Sequence, residues 1–217
     1  MRSTSKPRSR SMKRQHRRLS RPLAVAGLVA AFVAATTSTA QAQTISNTDT
    51  AGDMSSIDYE TGAMTPAPGQ TRNDVISTRM RHGAYRVSVR VEYAELQRVA
   101  DSENLLQIEM VTNEGVRRSL TLEAMAGDWD GHTELTNGRE RLVRCAVRHS
   151  IDYTKNVMTV SFPRRCASRP AWVKFRVAAG GFGDSGLYID DALRDRPMTD
   201  EDLNLGESRR VYRATAN

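Results

Sequence analysis

The stretch from Arg141 to Ala179, RLVRCAVRHSIDYTKNVMTVSFPRRCASRPAWVKFRVAA, constrains the fold more than any other part of the chain. Val143, Cys145, Val147 and His149 alternate with Leu142, Arg144, Ala146 and Arg148. Met158, Val160 and Phe162 alternate with Val157, Thr159 and Ser161, and Val173, Phe175 and Val177 with Trp172, Lys174 and Arg176. Successive side chains of a strand point to opposite faces, so a period of two marks strands with one buried and one wet face. The short polar link Ser150–Asn156 suits a hairpin. Pro163 and Pro170 bracket Cys166 and place it in a loop folded back over the sheet.

The same pattern recurs upstream. Asn73–Met80 reads as a weak strand. Ala84–Tyr93 reads as a strong one, with Tyr85, Val87, Val89, Val91 and Tyr93 facing in. Leu105–Thr112 turns at Asn113-Glu114-Gly115 and returns as Val116–Glu123. His132–Thr136 and Arg139–His149 flank Asn137-Gly138, a strong hairpin signal. Together these give about eight short strands and no long amphipathic helix, the pattern of an all-β fold. The expected packing is an antiparallel β-sandwich of jelly-roll or immunoglobulin-like type.

Residues 1–42 have the layout of an export signal. Met1–Arg21 carries nine Lys/Arg and no acid, Leu23–Ala35 is an apolar run, and Ala40 and Ala42 stand at small-x-small spacing. Cleavage is expected after Ala42, giving a secreted, extracellular protein without membrane insertion. Residues 43–70 are poor in large apolar side chains and read as a disordered linker. The sandwich domain is then 71–196, followed by a charged C-terminal tail, 197–217. In an exported chain, Cys145 and Cys166 are expected to pair, the other reading being two buried thiols.

The signal also accounts for the charge. The whole chain is formally +7, but nine of its 32 Lys/Arg lie in the signal, leaving 23 basic against 25 acidic residues. The high pI therefore points to no nucleic-acid partner. Arg139–Arg176 still holds ten basic residues and two acidic ones. Arg144, Arg148, Lys174 and Arg176 fall on outward positions, a face suited to anionic polymers or to guarding a sheet edge. Trp129 and Trp172, the only tryptophans, can stack on sugar rings if exposed. The ligand-binding candidates are thus Trp129, Trp172, Lys174 and Arg176, with cell-wall polysaccharide or an extracellular protein as partner.

Asp128, Asp130 and Glu134, around a Gly turn with His132, offer oxygen ligands for Ca²⁺. Their plainer role is an acidic turn, and no other cofactor is expected. Asp190-Asp191 reads as a helix N-terminal cap. Gly183-Asp184-Ser185-Gly186 resembles the nucleophile segment of chymotrypsin-like peptidases over four residues. The next glycine is replaced by Leu187, and no histidine stands in that family's context, so no catalytic residue is assigned. A secreted hydrolase using Ser185 is the alternative to a non-catalytic or purely structural module.

As a whole, RNDVISTRMRHGAYRVSVRVEYAEL, LLQIEMVTNEG, and DYTKNVMTVSFPRRCASRPAWVKFRVAAGG leading to LYIDDA resemble exported two-cysteine β-sandwich proteins of actinomycetes. Val157–Val177 and Asp190-Asp191-Ala192 carry most of the likeness. It implies the fold and no activity. The strand arrangement is also distantly similar to carbohydrate-binding and DOMON-type sandwiches, whose haem-binding members use Met and His ligands. No such pair is matched here by motif. Expressed in a host that exports it, the chain is expected to begin at Gln43 by N-terminal sequencing. An intact residue 1–42 segment fractionating with membranes would mark an uncleaved anchor instead.

Overall fold

The computed structural model describes residues 43–183 and 186–214. The signal-like segment 1–42 lies outside the described residues. Among those described there are thirteen strands: β1 (Gln43–Thr48), β2 (Ser55–Asp58), β3 (Met64–Pro66), β4 (Val75–His82), β5 (Arg86–Tyr93), β6 (Glu103–Thr112), β7 (Arg117–Met125), β8 (Asp128–Asn137), β9 (Arg148–Asp152), β10 (Val157–Pro163), β11 (Trp172–Gly183), β12 (Gly186–Asp191) and β13 (Val211–Tyr212). A 3-10 turn spans Arg164–Ala167.

The strands form two antiparallel sheets, β1-β4-β5-β10-β9 and β3-β2-β12-β11-β6-β7-β8, with β13 also paired to β11. They pack as a β-sandwich. Its interior comes from the strands with the clearest alternation. Val87, Val89, Val91 and Tyr93 of β5 and Met158, Val160 and Phe162 of β10 belong to one sheet. Leu106, Ile108 and Met110 of β6, Leu120 and Leu122 of β7, and Val173, Phe175 and Val177 of β11 belong to the other. None of these is more than 3% exposed, and all join one cluster. Each such side chain contributes about 1.5–3 kcal/mol by leaving water.

Residues 43–70, expected as a disordered linker, instead contribute three strands. β1 pairs with β4 from Gln43↔His82 to Thr48↔Ser77, β2 pairs with β12, and β3 with β2. Ile45 and Met54 are buried. These strands carry little hydrophobic pattern because they sit at or near sheet edges, where ladder pairing rather than side-chain burial selects the conformation. The expected charged tail is likewise built in. Phe175 N donates to Ser208 Oγ (2.9 Å), Ser208 N donates to Phe175 O (2.8 Å), and Met198, Val211 and Ala214 are buried.

Three further expectations change. Tyr85 is 80% exposed, because Gly83 N already closes the hairpin on Arg86 O and Tyr85 lies in the turn. The strand expected over Arg139–His149 is strand only from Arg148. At the Asn137-Gly138 turn, Asn137 Oδ1 accepts from Arg139 N and Arg141 N, and Glu140 takes the left-handed conformation (φ 57°). The chain stays on β8 only as far as Val143 N→Leu135 O, then leaves for β9 in the opposite sheet. Val143, Cys145 and Val147 still pack on the core as it crosses.

Cys145 and Cys166 form the expected disulfide, 21 residues apart, with Cα atoms 6.2 Å apart. The bond ties two crossovers, β8→β9 and β10→β11. Arg164 braces the second, donating to the carbonyls of Ala84, Arg169 and Pro170. Replacing both cysteines by alanine is expected to lower unfolding free energy by about 3 kcal/mol. Urea denaturation of the oxidised protein beside the double variant measures it, and equal midpoints would remove the bond from the stability account.

Candidate functional site

The outward face of the eight-stranded sheet carries a groove of about 430 Å³ across β11, β6, β7 and β8. Register explains its lining. Arg176 stands opposite Glu109, Glu109 opposite Ser119, and Ser119 opposite Thr136, while Lys174 stands opposite Val111 and Val111 opposite Arg117. Glu207, from the chain after β12, overhangs this face and pairs with Lys174 and, at 4.0 Å, with Arg176. Arg176 also approaches Glu109 at 3.6 Å. The groove therefore holds both signs of charge and is not a bare cationic track.

The four basic residues expected on one face are divided. Lys174 and Arg176 lie on β11 of one sheet, Arg148 begins β9 of the other, and Arg144 is in the crossover between them. The two tryptophans are also apart. Trp172 opens β11 beside the β6–β7 turn, where Asn113 Oδ1 accepts from its backbone N–H. Trp129 follows the β7–β8 turn, at the opposite end of that sheet. Both are half-buried. The Arg210 guanidinium lies 4.6 Å from the Trp172 ring centroid, and Trp129 meets Tyr153 edge-on at 6.2 Å.

Asp128, Asp130 and Glu134 are exposed on β8. Asp128 Oδ1 accepts from Gly131 N, and its Oδ2 lies 3.5 Å from His132 Nδ1. His132 also approaches Glu123 at 3.7 Å. Glu134, opposite Thr121, is two extended residues beyond His132, about 7 Å further along the strand. The fold does not converge these three carboxylates on one point. Ser185 and Asp184 lie outside the described residues. The flanking glycines, Gly183 and Gly186, pair with each other in the β11–β12 ladder, which also includes Gly180 and Gly181. A Cβ on Gly180 would stand 2.2 Å from Tyr188 O, and one on Gly181 2.2 Å from Glu103 O. Close backbone approach accounts for them.

A second cluster is interior. Asp49 and Asp53 lie between β1 and β2, Asp74 immediately precedes β4, and Asp190 and Asp191 end β12. None is more than 9% exposed. Asp190-Asp191, expected as a helix cap, thus lies in a buried strand. Asp190 Oδ2 accepts from Val75 N (2.6 Å) and Asp74 Oδ2 from Gly52 N (2.8 Å). Asp191 accepts from Gly206 N and pairs with Arg194 at 2.9 Å. Among the described residues Asp49, Asp53, Asp74 and Asp190 pair with no basic side chain. Burial, with the neighbouring carboxylates Asp190 and Asp53, pushes Asp49 up to about 9. Burial likewise pushes Asp190 to about 8, against the opposing Val75 hydrogen bond, and Asp53 to about 6 beside Asp74. The Asp74 and Asp191 carboxyls are raised for the same reason. Of these residues the sequence singles out only the Asp190-Asp191 pair.

Comparison with protein-family models, curated proteins and solved structures finds no match to this chain. Among the described residues no helix is long and apolar enough to cross a membrane.

The raised carboxylates fix the sign of a pH effect. A folded state that holds protons the unfolded chain has released loses stability as pH rises through the interval between the two pKa values. Glu103, raised by burial to about 7, adds in the same sense. With divalent cations chelated, the thermal midpoint is expected to fall from about pH 6 to about pH 9. This window lies mostly above the titration of His82, whose burial lowers its pKa. A midpoint rising across it would contradict the expectation.

Proposed function

We propose that this is a secreted, non-catalytic module that binds a polymer of the cell envelope through the outer face of its eight-stranded sheet. The observation that carries the reading is the groove lined by Lys174, Arg176, Arg117, Glu109 and Glu207. Opposed charges in a shallow trough suit a ligand with both hydroxyl and ionised groups, since Arg and carboxylate side chains bind such groups in a directed way. Trp172, at the start of β11, adds an aromatic surface for a sugar ring. Trp129 is too far away to share it.

Co-sedimentation of residues 43–217 with insoluble cell wall and with common polysaccharides tests the reading. Retention is expected, and Arg176→Ala is expected to weaken it about tenfold, the equivalent of one charge-assisted hydrogen bond. Retention unchanged in both Arg176→Ala and Trp172→Ala would remove this face. No retention on any polymer would overturn the polymer reading in favour of a protein partner or a structural role.

A further inference from the structure

We propose that Asp53, Asp74 and Asp190 form a binding site for a hard divalent cation, Ca²⁺, that fastens the N-terminal strands to the sandwich. One oxygen from each of the three lies within 4.8 Å of the others. Two ligands on opposite sides of a Ca²⁺ ion stand about 5 Å apart, so this spread fits one ion.

The independent observation is Asp53. It is 5% exposed, and both its carboxylate oxygens are buried without a hydrogen-bond partner among the described residues. Asp74 is 1% exposed, and its Oδ1 is in the same condition. Buried carboxylate oxygens are ordinarily hydrogen-bonded or bound to a cation. Two of the remaining oxygens are held. Val75 N–H fixes Asp190 Oδ2 and Gly52 N–H fixes Asp74 Oδ2, which is how ligating carboxylates are oriented by their outer partners. Asp49 Oδ2, also buried and unpartnered among the described residues, borders the group. The donors are all oxygen, which selects against the nitrogen- and sulfur-seeking metals. Several carboxylates in a dry cage suit Ca²⁺ better than Mg²⁺, which keeps its waters and demands a tighter octahedron.

The ligands come from three places. Asp53 belongs to the β1–β2 connection, Asp74 to the entry of β4, and Asp190 to β12. An ion there joins the first strands to both sheets.

The test uses residues 43–217 stripped with a chelator, titrated calorimetrically with CaCl₂ or MgCl₂ and melted in each. Asp53→Asn keeps the side-chain shape and loses no protein hydrogen bond. Asp130→Asn serves as the exposed control. One Ca²⁺ per chain is expected, with Mg²⁺ weaker. Asp53→Asn is expected to weaken Ca²⁺ at least tenfold, and Asp130→Asn to leave it unchanged. The order of melting should also invert: Asp53→Asn above wild type in chelator, and below it in Ca²⁺. No calcium binding by wild type at about 10 mM, above the weak end of extracellular sites, would overturn the site in favour of protonated carboxyls. Binding lost in Asp130→Asn but kept in Asp53→Asn would place the ion on the exposed start of β8 and also overturn it.

Discussion

Alternate side chains of β5 and β10 on one sheet, and of β6, β7 and β11 on the other, close on each other in one continuous apolar interlayer. Because each of these strands has one apolar face, the chain can change sheets only at strand ends. It does so after β1, β3, β5, β8 and β10. Every crossover strips backbone groups of ladder partners at the rim, and the rim is where the protein spends its specific polar contacts. Arg164 takes three carbonyls there, His82 Nδ1 meets Val211 O at 3.1 Å, and the disulfide holds two crossovers together.

Charge is handled differently outside and inside. On the outer face Lys174, Arg176, Glu109 and Glu207 are partly solvated and paired, and such pairs contribute about 0–1 kcal/mol each. At the junction of β1, β4 and β12 several carboxylates are buried with no cationic partner among the described residues. A buried unpaired charge costs several kcal/mol, while a whole domain is stable by about 5–15 kcal/mol. Three ionised carboxylates cannot be carried on those terms. They must either hold protons, the direction in which burial moves them, or share a cation. Protonation leaves both oxygens of Asp53 without a partner among the described residues, whereas a shared ion engages one of them.

The sequence displays those parts of the fold whose conformation is decided by burial. β5, β6, β7, β10 and β11 show their alternation openly, and all place the expected residues inside except Tyr85 at the very start. It hides the parts decided by pairing. β1 reads QTISNT, with one buried apolar residue, and becomes a strand because β4 presents a free edge. β13 is two residues long and depends on β11. The candidate sites divide in the same way. Lys174 and Arg176 fall together because they are two apart on one strand. Arg148 was grouped with them by alternation along the sequence, which a change of sheet cancels, and Trp129 shares their sheet but lies at its opposite end. Asp53, Asp74 and Asp190 are separated by 21 and 116 positions. Only three-dimensional closure brings them together, and no local spacing could announce it.

The cation site and the groove lie on different parts of the molecule, with different consequences for stability. β2 and β3 extend the sheet beyond β12, while the groove spans β11, β6, β7 and β8 on the other side of it. β3 has three residues and β2 four, and the segment containing them buries few large apolar side chains. Local opening free energy follows buried apolar contact, so this edge belongs to the low end of the molecule's stability range. An ion bound by Asp53, Asp74 and Asp190 acts on that edge directly, because one ligand sits in the connection that leads into β2. Its removal would loosen β1–β3 first, and would leave the interlayer of β5, β6, β10 and β11, and the groove built on it, in place.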